Sequence, residues 1–507
     1  MNRRTLVTLV AVGAVTTGIV ALGFGVRSTF GGQVAVDEPQ YLISALSLWQ
    51  DGDLDISNQL AAHAERPFHQ AELPVQTEVL AGGRQVSPHD PLLPVLLAVP
   101  MGLGGWVAAK ATLAVLAGLL AAVTTWLART RWQVPPGVAA AVGLVAACTP
   151  PLVVYGQQVY PELAAALAVV VAVAAVTGRL AVPGTLVATI AVVALPWLAV
   201  KYAPVAAVLA VVLLFSLWRN GKRRTAGLVA ATLAGAGVVF LLAHQLIYGG
   251  WTAYASGDHF QASGELSVVG LAPNYLGRST RLIGLLVDRD FGLAAWQPAW
   301  LLLVPALAWL LHARPRQWQV LALPLAAGWL TATFVALTMH GYWWPGRQVV
   351  VVLPLAAVVV SVWLARLAPT ARRWATAVAG VLALGGVAAY GWLVAAGWSV
   401  GRQPTLTWVS APDQFAGPVH QALRGLLPDY REPGGGTWLR HGVWLAVLTA
   451  LAVVGWRSAR IGIQDERGPG QTDPAQPLAG FRGVRGPGGP DNPPEIAAPK
   501  ELTRGTA

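Results

Sequence analysis

The chain has 507 residues, of which 55% are hydrophobic and only 11% charged, with a formal net charge of +11 and a mean hydropathy of +0.56. Soluble proteins carry about 25% charged residues, so a water-soluble enzyme built on one core is excluded, and so is a disordered or fibrous chain. What remains is an all-α polytopic membrane protein with the lipid bilayer as its main partner.

Residues 5–26 are apolar after Asn2-Arg3-Arg4. No small-x-small cleavage site leads into a soluble domain, so this stretch predicts an uncleaved first span. Spans of about 20 apolar residues then follow at roughly 103–128, 136–154, 160–178, 184–200, 203–218, 225–247, 296–312, 318–339, 348–365, 374–397 and 438–456. With the first, they make about 12 transmembrane helices, both termini inside. The break at Lys201-Tyr202 is the least regular turn.

Short basic connectors carry Arg129/Arg131, Arg179, Arg219/Lys222/Arg223/Arg224, Arg314/Arg316, Arg366/Arg372/Arg373 and Arg457/Arg460, with no acidic residue among them. The longer connectors hold the acids. That alternation is the positive-inside pattern, so the basic connectors face the cytoplasm of a plasma-membrane protein. The basic excess orients the chain, and no nucleic acid is expected as a partner.

Residues 1–460 therefore read as one transmembrane domain with external loops at about 27–102, 248–295 and 398–437, and 465–507, rich in Gly, Pro and Gln, as a disordered cytoplasmic tail. The first loop opens with Asp37-Glu38-Pro39-Gln40-Tyr41-Leu42. Leu42, Ala45, Leu46 and Trp49 follow at helical spacing, which predicts an amphipathic juxtamembrane helix. Asp51, Asp53 and Asp55 read as a turn, because the later glycine and glutamate of a calcium loop are missing. A second half, Ser87-Pro88-His89-Asp90-Pro91-Leu92, leads into a segment broken by prolines. Cys148, the single cysteine, reads as a small core residue.

Chemistry is expected at the outer boundary. Asp37 follows the first span directly, where a carboxylate can take a proton from an acceptor hydroxyl beside a lipid-borne substrate. Glu38, Tyr41, His89 and Asp90 are candidate substrate contacts in the same loop, and Asp37 with Asp90 is compatible with a divalent cation. Glu162 opens a span and reads as a helix-terminus acid. Lys201 and Arg347 interrupt apolar sequence where a lipid phosphate would sit. Trp343 and Trp344 are candidates for stacking on a sugar, whereas most of the 22 tryptophans fit an aromatic belt. The run Asp288-Arg289-Asp290 reads as a salt-bridged helix entrance.

A first span, an outward Asp37-Glu38-Pro39-x-Tyr41, a broken His89-x-Pro91-Leu92 element, Asp288–Leu293 and Pro345-Gly346-Arg347 together resemble the membrane glycosyltransferases of the GT-C superfamily, in particular the protein O-mannosyltransferase and lipid A aminoarabinose transferase group. The likeness spreads over about residues 5–460. It implies a catalytic role for Asp37 with Glu38 as its neighbour, and a second loop motif at His89-Asp90, where Asp90 stands in place of the family's usual proline. It further implies an inverting enzyme that moves a sugar from a polyprenyl-phosphate donor to an extracytoplasmic acceptor, with no nucleotide-binding motif. A multi-span transporter or flippase of envelope precursors is the alternative, and it predicts ionisable groups near the bilayer midplane. A non-catalytic assembly subunit is the third reading.

Overall fold

The structure is a computed structural model and describes residues 3–26, 32–34, 36–70, 72–73, 76, 78–251, 274–336, 338–341, 343–399 and 417–466. The chain divides after Gln464 into a large unit and a short C-terminal one; the expected tail falls almost wholly outside the described residues.

The first helix is α1 (Arg3–Ala21), followed in the outer loop by α2 (Glu38–Gln50), the short α3 (Ser57–Ala61) and a small antiparallel pair, β1 (Glu78–Val79) with β2 (Gln85–Val86). Then come α4 (Leu92–Arg131), α5 (Pro136–Ala147), the single turn α6 (Leu152–Tyr155), α7 (Glu162–Val176), α8 (Val182–Leu198), α9 (Ala203–Arg219) and α10 (Arg223–Tyr248). Among the described residues, eight helices are long and apolar enough to cross a membrane, and four shorter apolar helices, Pro136–Ala147, Glu162–Val176, Val182–Leu198 and Pro298–Ala313, accompany them. Together they account one for one for the spans expected from hydropathy.

Hydrocarbon gives helices no hydrophobic reason to associate, so small residues and interhelical hydrogen bonds hold them. Where α1 meets α4, a Cβ on Gly13 would lie 3.3 Å from the Gly118 carbonyl oxygen, and Thr17 donates to the Ala114 carbonyl at 3.2 Å. The helix Leu353–Arg366 is apolar on every side and buried from Leu353 to Leu364, as a helix at the centre of a bundle must be. By contrast α10 exposes most of its length and lies at the periphery.

Two local features position the site. Inside α4 the backbone leaves helical geometry at Gly104 and Gly105, the latter at φ +63°, a value glycine adopts without a Cβ clash. The first part of α4 is thereby a separate juxtamembrane segment, which is how the prolines of that region are accommodated. The segment receives α2, which forms where the spacing predicts. Its buried positions reach beyond the apolar stripe to Glu38, Gln40 and Ser44, so it is enclosed by protein as well as facing the boundary.

Candidate functional site

Asp37 sits at the N-cap of α2, Glu162 is the first residue of α7, Lys201 lies in the 3-10 turn Val200–Tyr202 between α8 and α9, and Arg347 opens the 3-10 turn that runs into Leu353–Arg366. Four helix ends therefore converge at one end of the bundle. Gly346 makes the last of these turns: its φ is +85°, and an added Cβ would meet Leu293 at 2.9 Å and Pro151 at 3.1 Å. Just before Asp37, Val36 has a φ of +61°. For a β-branched residue this is an outlier costing about 1–3 kcal/mol, and such strain gathers at functional positions.

The converging side chains form a continuous ion-pair chain. Arg347 donates from Nη1 to Asp37 Oδ2 at 3.0 Å and from Nε to Glu162 Oε1 at 2.7 Å. Lys201 Nζ donates to the same Glu162 oxygen at 2.7 Å. Glu162 Oε2 is buried with no hydrogen-bond partner. The guanidinium lies 4.1 Å from the Tyr160 ring centroid and 5.0 Å from that of Trp343, whose buried indole nitrogen is also unpartnered. His89 stacks on Tyr41 with centroids 4.6 Å apart, and both of its buried ring nitrogens lack partners.

The electrostatics outside the spans follow from burial and charge. Burial works to raise the Asp37 carboxyl, but the charge of Arg347 and its hydrogen bond hold the group below its ordinary value, with His89 adding to this only when it is protonated. Burial pushes the His89 imidazole down despite the pull of Asp37, which leaves it neutral at pH 7 with one nitrogen to donate and one to accept. The Tyr160 phenol is pushed well above its ordinary range by burial and then by Asp37; it stays a neutral wall.

Of the residues expected from sequence, Asp37, Lys201, Arg347 and Trp343 meet in this cluster, with His89 in electrostatic reach of Asp37, Arg347 and Lys201 and Tyr41 behind it. Three others turn elsewhere. Glu38 accepts from the Val159 backbone at 2.8 Å, bracing the connector before α7. Asp90 is 2% exposed; its Oδ2 accepts from the Val200 backbone at 2.9 Å and its Oδ1 faces His244 Nε2 at 2.8 Å. Its carboxylate is thus spent on fixing the turn that carries Lys201. Trp344 is buried against Trp296, centroids 4.8 Å apart, and its carbonyl accepts from Tyr155 Oη at 2.6 Å.

A divalent cation between Asp37 and Asp90, with which the sequence is compatible, does not fit, because Arg347 pairs with the first carboxylate and His244 with Val200 occupies the second. Among the described residues no group of three or more His, Cys, Asp or Glu has metal-holding geometry. Glu162, read from sequence as a helix-terminus acid, does begin α7, yet its side chain is the hub that joins Lys201 to Arg347. The signal that marks it is isolation: it is the only acidic residue between Asp90 and Asp258. Tyr160, missed altogether, has no sequence signal beyond its nearness to Glu162. Lys110, a cation inside a span sequence, is fully buried and donates to the Gln33 carbonyl at 2.9 Å, tying α4 to the start of the first loop. Cys148 is half-buried, 3.7 Å from Thr16 Oγ1.

No protein family matches the sequence, and no curated protein does. Two solved structures resemble the chain in fold. They are the crystal structure of ArnT from Cupriavidus metallidurans bound to undecaprenyl phosphate, at 17% identity over 91% of this chain and 77% of that chain with a TM-score of 0.48, and ArnT from the same organism in the apo state, at 17% identity over 90% of this chain and 76% of that one with a TM-score of 0.46.

Proposed function

We propose that the chain is an inverting glycosyltransferase that moves a sugar from a polyprenyl-phosphate donor to the hydroxyl of an acceptor outside the cytoplasm. The observation that carries this reading is the pair of cations, Arg347 and Lys201, held on one oxygen of Glu162 beside the Asp37 carboxylate. A base and two phosphate-binding cations at the boundary end of a helix bundle match what transfer from a lipid phosphate requires. The sequence resemblance to the GT-C superfamily supports the same chemistry.

In the reaction Asp37 takes the acceptor hydroxyl proton while that oxygen attacks the anomeric carbon. The bond from this carbon to the phosphate oxygen breaks, and the lipid phosphate leaves with the electron pair on that oxygen, its charge neutralised by Arg347 and Lys201. Arriving phosphate competes with Asp37 for the guanidinium. Donor binding thereby releases Asp37 from the partner that depresses its basicity, and burial then raises the carboxyl toward a useful range. Neutral His89 can orient the acceptor through either nitrogen, and Trp343 offers an aromatic face to the sugar.

The positive-inside distribution of Arg and Lys supports an outward-facing position for this end of the bundle, where an aqueous acceptor and an outer-leaflet donor would meet. The cluster is built from the ends of four helices, which favours this reading over the transporter alternative, whose sites lie in discontinuous helices.

The test uses purified full-length protein with a panel of polyprenyl-phosphate hexoses and pentoses, reading release of polyprenyl phosphate on addition of acceptor. Release by the wild type and its loss in Asp37→Asn is the expected result. Full release by Asp37→Asn, or substrate flux into proteoliposomes with no release at all, overturns the proposal.

A further inference from the structure

The far end of the same bundle carries an open cleft. Helices α4, α7 and α8 each have one end at the ion-pair cluster; their opposite ends, at Arg131, Val176 and Val182, border this cleft of about 310 Å³. Its walls include Trp126, Arg131, Ala174, Gly178, Arg179 and Gly184. By the charge pattern this is the cytoplasmic boundary.

The Arg131 guanidinium is fixed in place. Its Nη2 donates to the Ala174 carbonyl at 3.1 Å and its Cζ lies 4.9 Å from the Trp126 ring centroid, while its buried Nε has no hydrogen-bond partner. Gly178 leaves the room the guanidinium occupies, since a Cβ there would meet Arg131. Arg179 is exposed at the mouth. The N-terminus of α8 adds its positive end, for Ala181 provides no side-chain cap. Lys222 donates to the Leu180 carbonyl and brings a third basic connector to the same place. No acidic side chain of this stretch opposes them, because between Asp90 and Asp258 the sequence holds only Glu162, at the other end of α7.

A basic cleft with no acidic side chain among its described walls calls for an anion, and its surroundings say which kind. Val182, Leu186 and Ile190 of α8 recur at helical spacing and are 74%, 55% and 65% exposed. They form an apolar stripe running from the mouth toward mid-membrane. A free anion uses only the cations; a molecule with a phosphate head and acyl chains uses both features.

The geometry points to a binding site for an anionic phospholipid of the cytoplasmic leaflet, its phosphate held by Arg131 and Arg179 at the α8 N-terminus and its chains lying along Val182, Leu186 and Ile190. Basic pockets between helices on the cytoplasmic side have the chemistry to take such headgroups. This site is separate from the transfer site and stands whether or not the chain is a transferase.

The experiment is native mass spectrometry of the full-length protein titrated with phosphatidylglycerol, phosphatidylcholine or inorganic phosphate. Phosphatidylglycerol is expected to be retained in preference to phosphatidylcholine, and Arg131→Gln or Arg179→Gln to weaken retention about fivefold each, as expected near an anionic surface, with Arg131→Lys restoring part of it. The Arg179 side chain is exposed, so its removal leaves the fold intact and keeps the outcome readable even where Arg131→Gln misfolds. Equal retention of the two lipids, or unchanged retention in Arg179→Gln and a folded Arg131→Gln, overturns the proposal. Inorganic phosphate binding as tightly as the lipid does so too, because the site would then be one for a free anion.

Discussion

Two clusters of opposed charges among the described residues differ in where their hydrogen bonds end. In the first, Asp37, Glu162, Lys201 and Arg347 pair side chain to side chain, leaving Glu162 Oε2 and both His89 nitrogens unused. In the second, Arg289 and Arg424 bridge Asp290 and Asp429, and the carboxylates also close turns. Asp288 accepts from the backbone of Asp290 and Phe291 through Oδ1 and of Tyr430 through Oδ2, while Asp429 accepts from Arg431 and Glu432. Charge density alone would rank the second cluster as the busier site. The acceptors of Asp288 and Asp429 that take backbone N–H groups hold loops together, and Asp290 Oδ1, though without a well-directed hydrogen bond, faces Arg424 at 3.0 Å; Glu162 accepts from no backbone group and keeps one buried oxygen without a hydrogen-bond partner.

The largest expected effect separates the clusters by activity. Asp37→Asn keeps size but removes the base, and should lower acceptor-dependent release of polyprenyl phosphate per folded molecule by about a hundred- to ten-thousand-fold, with the melting temperature lowered as well because Arg347 loses one of its charged partners. Asp288→Asn should leave release per folded molecule unchanged, with stability lower by about 1–3 kcal/mol, since one of its turn contacts loses an acceptor. Thermal unfolding and the release assay on both variants check the pair. A dead but stable Asp288→Asn would erase the distinction.

Glu162→Gln sharpens it from within the first cluster. Two cations then share a buried site with Asp37 alone, and removing one partner of a buried pair costs about 3–5 kcal/mol. The variant should be poorly stable in detergent, and added undecaprenyl phosphate should recover part of the loss by supplying the missing negative charge. Stability equal to wild type, with no response to that lipid, would show that Lys201 and Arg347 do not depend on Glu162.

Sequence alone made the spans legible because hydropathy over a membrane thickness is a local property. It also pointed to Asp37, Lys201 and Arg347, since a charge that interrupts apolar sequence is visible without knowing what it touches. The direction each side chain takes was not legible. Glu38 and Asp37 are neighbours, yet one faces Val159 and the other Arg347, a choice made by the cap geometry of α2. Asp90 finds Val200 and His244 across more than a hundred residues of chain, and Trp344 turns inward while Trp343 faces the guanidinium. Contacts of that separation are set by tertiary packing, which residue spacing does not encode.

A pH profile tests whether Arg347 governs Asp37. The folded-state carboxyl lies below its ordinary value, so the base stays ionised as pH falls, and the acid limb of kcat/KM for the free protein should lie below the usual carboxylate value of about 3.9. The same shift stabilises the fold above the unfolded-state value and is lost as pH drops through the folded one. In Arg347→Met burial acts with less opposition, and the limb in the residual activity should move upward. A limb that stays put would mean another group sets it.

The smallest effect concerns backbone strain, the last contrast between the clusters. Val36 stands at φ +61° beside Asp37, whereas no described non-glycine residue at 288–293 or 424–432 has positive φ. Val36→Gly removes the steric cost of that conformation but enlarges the freedom of the unfolded chain, so the two effects oppose and stability should change by no more than about 1 kcal/mol. If the left-handed turn serves to aim Asp37, release should fall several-fold through kcat with KM little altered, because the glycine chain samples other directions for the carboxylate. Val36→Ala separates the causes: it keeps most of the steric restriction of an L-residue while losing the β-branch, and should retain more activity than the glycine variant. Equal activity in all three proteins would make the strain incidental, and the aim of Asp37 would then rest on the Arg347 ion pair alone.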